Sequence, residues 1–161
     1  MLTEIKPAMK ASMHAFRSSN VRGLGVVGVL FVLYILWAGI PASLWIDVGS
    51  VTVADAIEGE APKLVVDRTV KRSFAGLRQV ELEKKGTRGF VQIDKAVGGD
   101  NYRPDNELPE DLDMDWWTAP KQFRPLPGRY RIETCWTVIL TWIKDRRTCV
   151  VSNTYTVRPR Q

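Results

Sequence analysis

Apolar and polar positions divide the chain into stretches of different rhythm. From Gly23 to Trp45 the run GLGVVGVLFVLYILWAGIPASLW holds no charged residue, and only Tyr34 and Ser43 interrupt it with polar groups. A helix of that length reaches across a hydrocarbon core of roughly 30 Å, so the run predicts a transmembrane signal-anchor helix. A helix buried in a soluble core would show a polar stripe at the 3.6-residue period, and none is present. A cleaved signal peptide is the nearer rival. Against it, the run exceeds the usual 7 to 15 or so apolar residues, and Ala38, Pro41 and Ala42 make a poor cleavage site. Trp37 and Trp45 suit an interfacial belt at the C-terminal side of the span.

Beyond Ile46 the rhythm shortens to two. Ser50–Ala54, Lys63–Asp67, Val65–Phe74, Leu77–Lys84 and Gly89–Ile93 read as strands, with Lys84–Gly86 turning the chain between the last two. In Leu77–Lys84 the set Arg78, Val80 and Leu82 opposes Leu77, Gln79 and Glu81, which predicts one wet face. Strand patterning returns in Arg129–Ile139, where Tyr130, Ile132, Thr134, Trp136 and Val138 share a face. It returns again in Arg147–Val157, where Cys149, Val151, Asn153, Tyr155 and Val157 share one. Short strands punctuated by turns predict a mainly β fold: an N-terminal transmembrane helix followed by an antiparallel immunoglobulin-like β-sandwich. A partly open barrel is the alternative. The expected division is a basic tail at 1–22, the span at 23–45 and one outer domain at 46–161.

Between the two groups of strands lies an irregular segment, Val97 to Pro127, rich in Pro, Gly, Asn and Asp. A loop of this length in a compact domain is expected to be functional or partly structured, and Glu107–Trp117 is the place for a helical turn. Its acids, Asp105, Glu107, Glu110, Asp111, Asp113 and Asp115, run into Trp116 and Trp117. The spacing of Asp111, Asp113 and Asp115 imitates the start of a calcium loop. The imitation fails where Trp116 replaces the required glycine and Gln122 the final acid. The candidate binding surface is therefore Trp116, Trp117, Asp111, Asp113 and Asp115, with Trp142 as a second anchor, since tryptophan beside polar groups is favoured at interfaces and on sugars. The duller alternative is that the acids solvate the loop while one tryptophan plugs the core.

Charge adds orientation. Lys6, Lys10, Arg17 and Arg22 precede the span against the single acid Glu4, whereas Asp47, Asp55, Glu58 and Glu60 follow it before any base. The positive-inside rule then puts the N-terminus in the cytoplasm and the β domain outside. The overall net charge of +5 is accordingly no argument for nucleic acid, and none is expected as a partner. The only histidine is His14, in the tail, which removes Ser-His-Asp, Cys-His and histidine-zinc chemistry from the outer domain. No glycine-rich phosphate fingerprint is present, and no cofactor, metal or enzymatic activity is expected. Cys135 and Cys149 in an outer compartment suggest a disulfide. The face assignments above oppose it, because they point Cys135 outward and Cys149 inward, and directly paired residues share a face. A buried free thiol at Cys149 is the competing expectation.

The segments VVDRTVKRSF, NYRP, LDMDWW, LPGRYRIETCWTV and VSNTYTV resemble a pattern in uncharacterised single-span proteins encoded by bacteriophages and prophages of proteobacteria. The resemblance implies an inner-membrane, single-pass protein with its C-terminal domain in the periplasm, and it carries over no site residues. Two functions are expected. The first is an interaction or structural module that binds an envelope or phage protein, or a second copy of itself, while anchored in the lipid bilayer. The alternative is a glycan- or small-ligand-binding module acting on cell-wall material.

Overall fold

A computed structural model describes residues 25–141 and 144–161, divided into two units at Ile40 and Pro41. Gly23, Leu24 and the basic tail lie outside the described residues, as does Trp142. The first unit contains helix α1, residues 25–38, with Val26 to Trp37 exposed. At 1.5 Å per residue its described length is about 21 Å. Among the described residues no helix is long and apolar enough to cross a membrane, which corrects the expected transmembrane helix and single-pass signal anchor. The reason lies in the last third of the apolar run. Gly39 makes the final i→i−4 bond, to Ile35 at 2.9 Å, and Pro41 has no N–H with which to continue. Ala42–Leu44 then turns as a 3₁₀ helix, and Ala42 and Ile46 are buried among strands, so part of what reads as span is the opening of the β unit.

Among the described residues of the second unit, Pro41–Gln161, there are eight strands and one short α-helix besides the 3₁₀ turn. The strands are β1 (Ile46–Val53), β2 (Ala56–Ile57), β3 (Leu64–Val70), β4 (Phe74–Gly86), β5 (Gly89–Tyr102), β6 (Gly128–Val138), β7 (Arg146–Val151) and β8 (Tyr155–Arg158); helix α2 is Met114–Thr118. β1 and β3 form an antiparallel ribbon. The other six make one sheet in the order β2-β8-β6-β4-β5, with β7 beside β8 on the same flank of β6. β2 runs parallel to β8, so this sheet is mixed.

This arrangement corrects the immunoglobulin-like sandwich while keeping the mainly β class. The layer facing the large sheet has only two strands, and the chain between β5 and β6 completes it. Leu112, Met114, Trp117 and Phe123 from that segment are all buried in the core. α2 is tied to the ribbon by the Leu64 N–H donating to Leu112 O at 2.9 Å and the Met114 N–H donating to Pro62 O at 2.8 Å. Apolar residues inside an otherwise polar loop thus do the covering that a second full sheet does in a sandwich. β5 also runs on to Tyr102, taking the first part of the expected loop into the sheet.

The alternation expected for β6 is observed, with Tyr130, Ile132, Thr134, Trp136 and Val138 buried. That expected for Arg147–Val157 is broken, because Ser152–Thr154 separates β7 from β8 and reverses the phase. Tyr155 and Val157 face the core, but on β7 the inward residue is Val150, and Cys149 lies on the outer face. Cys149 is then opposite Cys135 in register, and the two form a disulfide with Cα atoms 4.0 Å apart. The parity objection to a bridge fails because two strands occupy what the sequence pattern presents as one.

Candidate functional site

The residues expected to form a binding surface are dispersed by the fold. Asp113 is the N-cap of α2: its backbone is extended, and its Oδ1 accepts from the Trp116 N–H at 2.9 Å. Asp115 is held by both terminal nitrogens of Arg124, one at 2.7 Å. Asp111 is exposed and loosely paired with Lys63 at 3.5 Å. Trp117 is fully buried, edge-on to Trp136 with ring centres 5.9 Å apart, and its Nε1 donates to Thr134 Oγ1 at 3.3 Å. Of the two adjacent tryptophans, only Trp116 keeps a solvent face, at 45% exposure. Three of the expected residues therefore serve α2 itself, by capping it, clamping it and rooting it in the core.

What α2 brings together is a stack of cations and aromatic rings. Trp116 lies against Trp117 with ring centres 6.3 Å apart, and the Arg78 guanidinium carbon sits 4.4 Å from the Trp117 ring centre and 5.3 Å from that of Trp116. Arg78 reaches this position because it occupies the inner face of β4. It pairs with Trp136 on β6 and Gly98 on β5, two residues from Val80, which is buried. Across from it, Arg68 takes an inward position on β3 between Val66 and Val70, and its guanidinium carbon lies 5.4 Å from the Tyr102 ring centre. Tyr102 in turn stacks on Phe74 at 4.7 Å.

Two arginines thus project from opposing layers into one end of the interior. Desolvation by burial lowers the pKa of both guanidiniums below the ordinary arginine value, and at Arg78 the charge of Arg68 pushes the same way while Tyr102 and Asp100 oppose it. Burial raises the Tyr102 phenol above 10.0 against the pull of both arginines. The Tyr102 hydroxyl and Arg68 Nη1 are buried without a well-formed hydrogen bond within the described residues, although the two side chains are close enough for Arg68 to favour the ionised phenol. Sequence reasoning missed these three residues as a group, although the alternation of β4 already places Arg78 with Val80 and Leu82. The same parity places Arg68 with Val66 and Val70.

Among the described residues, the trio Glu133, Cys135 and Cys149 has possible metal-donor atoms within 4.8 Å of one another, but the disulfide engages both sulfurs. Arg147 Nη2 lies 3.0 Å from Cys135 Sγ on the same outer face. The chain matches no protein-family model, no curated protein and no solved structure.

Proposed function

We propose that the β unit is an interaction module that presents Trp116 to a protein partner. The observation that carries this reading is an exposed indole that is already fixed in place. Trp116 is backed by Trp117 and Arg78, and its helix is capped by Asp113 and clamped through Asp115 to Arg124. A large side chain fixed before binding loses little conformational freedom when a partner covers it, which is why rigid tryptophans dominate interface energetics. The Cys135–Cys149 bridge supports an oxidising compartment for this unit. The resemblance to phage and prophage proteins directs the search for the partner to a bacterial envelope.

The test is site-specific photocrosslinking in cells, with a benzophenone amino acid at position 116 and, as a control, at Val65, which is 70% exposed elsewhere on the unit. A discrete adduct from position 116 alone, lost when unlabelled wild-type protein competes, is the expected result. No adduct, or the same adducts from both positions, overturns the reading. Retention on cell-wall glycan that Trp116→Ala abolishes would replace the protein partner with the glycan alternative.

A further inference from the structure

Arginines at inward strand positions are unusual, because a guanidinium out of water requires an opposite charge or a full set of acceptors. Among the described residues, neither Arg68 nor Arg78 has a carboxylate within ion-pair distance. The ion pairs there engage Lys63, Lys71, Lys95, Lys121, Arg124, Arg131 and Arg158, and neither of these two arginines. The acid acting electrostatically on both, Asp100, is exposed, and its Oδ1 accepts from the Asn101 N–H at 2.7 Å. The carboxylates near the two cations are thus Asp100 and, in the Arg68 cleft, Glu107, and the buried Tyr102 hydroxyl beside Arg68 makes no well-formed hydrogen bond.

The surroundings leave access. Arg68 lines a cleft of about 310 Å³ together with Val66, Pro104, Asn106, Glu107 and Leu108. Tyr102 lines a second, of about 410 Å³, with Ser73, Asn101 and Arg103. On the sheet side, glycine stands at two inner positions next to Arg78. A Cβ at Gly76 would come within 2.7 Å of the Phe74 ring and 2.8 Å of Thr137 O, and one at Gly98 would press on Ala119 O at 3.4 Å. Donors thus come from two layers: a guanidinium on the ribbon over the Tyr102 ring, the Tyr102 phenol, and a guanidinium on the sheet that is electrostatically coupled to both. Convergence from several directions suits a tetrahedral oxyanion better than a planar carboxylate, which one guanidinium fork satisfies alone.

We propose that Arg68, Arg78 and Tyr102 form a binding site for a phosphate-type oxyanion, either free or as the head group of a small phosphoester, reached through the Arg68 cleft. The site is separate from the exposed face of Trp116 and does not depend on the protein-partner reading. Binding neutralises the paired cations and gives the phenol an acceptor. A residue kept for a ligand and not for the fold leaves a double signature: its removal abolishes binding while the free protein is as stable as before, or more so.

The experiment uses the full chain and reads thermal unfolding together with tryptophan emission, since Arg78 rests on two indoles. Inorganic phosphate is titrated against sodium chloride at equal ionic strength, with glycerol phosphate and acetate in parallel arms. Phosphate is expected to give a saturable emission change and a rise in Tm that chloride and acetate do not give. Tighter saturation by glycerol phosphate assigns the site to an ester head group, and equal or weaker saturation assigns it to the free ion. Arg68→Met is expected to weaken saturation at least tenfold without lowering the Tm of the free protein. Arg68→Lys, which keeps the charge but loses the fork, is expected to fall between the two. Trp116→Ala is expected to keep the phosphate-dependent rise in Tm. No phosphate-specific response, an equal response to acetate, unchanged saturation in Arg68→Met and Arg68→Lys, or a free Arg68→Met protein less stable than wild type each overturns the proposal.

Discussion

The inner face of the large sheet carries two different surfaces along one set of strands. Toward the β4–β5 hairpin, Val80, Leu82, Ile132 and Tyr130 pack with Val53 and Tyr155 in an interior whose largest groups are apolar or aromatic. Toward the other end, Phe74, Gly76 and Arg78 stand opposite Tyr102, Asp100 and Gly98, and Arg68 descends from the ribbon. The strands, pairing and alternation are the same, so secondary structure does not explain the difference. It lies in the side chains: apolar and aromatic groups throughout the first end, and at the second two guanidiniums and a phenol set among Phe74, Trp136 and Val138, where the proposed oxyanion site lies. Stability should therefore respond strongly to changes at the hairpin end and weakly to loss of charge at the other.

The largest expected effect is at the packed end. Ile132 is wholly buried and pairs with Leu82, so Ile132→Ala should cost about 2–5 kcal/mol in urea-induced unfolding. A cost below 1 kcal/mol or so would mean that the hairpin end is looser than its burial implies, and would break the contrast. Next comes the disulfide, which lies on the outer face and belongs to neither end. It closes a sequence separation of 14, for which loop entropy gives about 3 kcal/mol. Cys135→Ser with Cys149→Ser should lower the unfolding free energy by up to that amount and leave phosphate saturation unchanged.

The smallest effect is a pH dependence that separates the two tyrosine environments. Burial, with Tyr130 adding to it, raises the Tyr155 phenol above 10.0, so the folded chain keeps a proton that the unfolded chain gives up. Its contribution is intact below about pH 10 and is lost as pH rises beyond that value. The urea midpoint should be flat from pH 8 to 9.5 and fall toward pH 11. Tyr155→Phe, which also removes a buried hydroxyl without a hydrogen-bond partner, should flatten the fall and leave stability at pH 7 unchanged. An equally steep fall in that variant would assign the dependence to Tyr102 or to the lysines.

Much of the β unit is legible in its alternation. β6 reads correctly because its core-facing residues keep a period of two along the strand, interrupted in burial only at Cys135, which the disulfide covers on the other face. The phase change between β7 and β8 is not legible, because Ser152, Asn153 and Thr154 are as compatible with a strand as with a break. The Ser152 hydroxyl gives the reason for the break, accepting from the Ile132 N–H at 2.9 Å where a strand backbone would otherwise continue. The apolar run up to Trp45 misleads because composition does not reveal that Gly39 and Pro41 divide it between a helix and the start of a core. At the site, the acids drew attention by clustering, yet clustering in sequence put them to work on α2. Arg68 and Arg78 are only ten residues apart, but they stand on strands of different layers and come to face the same tyrosine only because the ribbon folds over the sheet, which no local pattern records.

One side chain ties β1 of that ribbon to the turn between β7 and β8. Asn153 Oδ1 accepts from the Val53 N–H at 2.7 Å and its Nδ2 donates to Val53 O at 2.9 Å, so a single carboxamide imitates a neighbouring strand. Sliding β1 by one residue would sever both bonds together and rotate Val51 and Val53 from the interior into water. Asn153 therefore works as a latch: it admits one setting of the ribbon, and with that setting the one alignment in which Arg68 meets Tyr102.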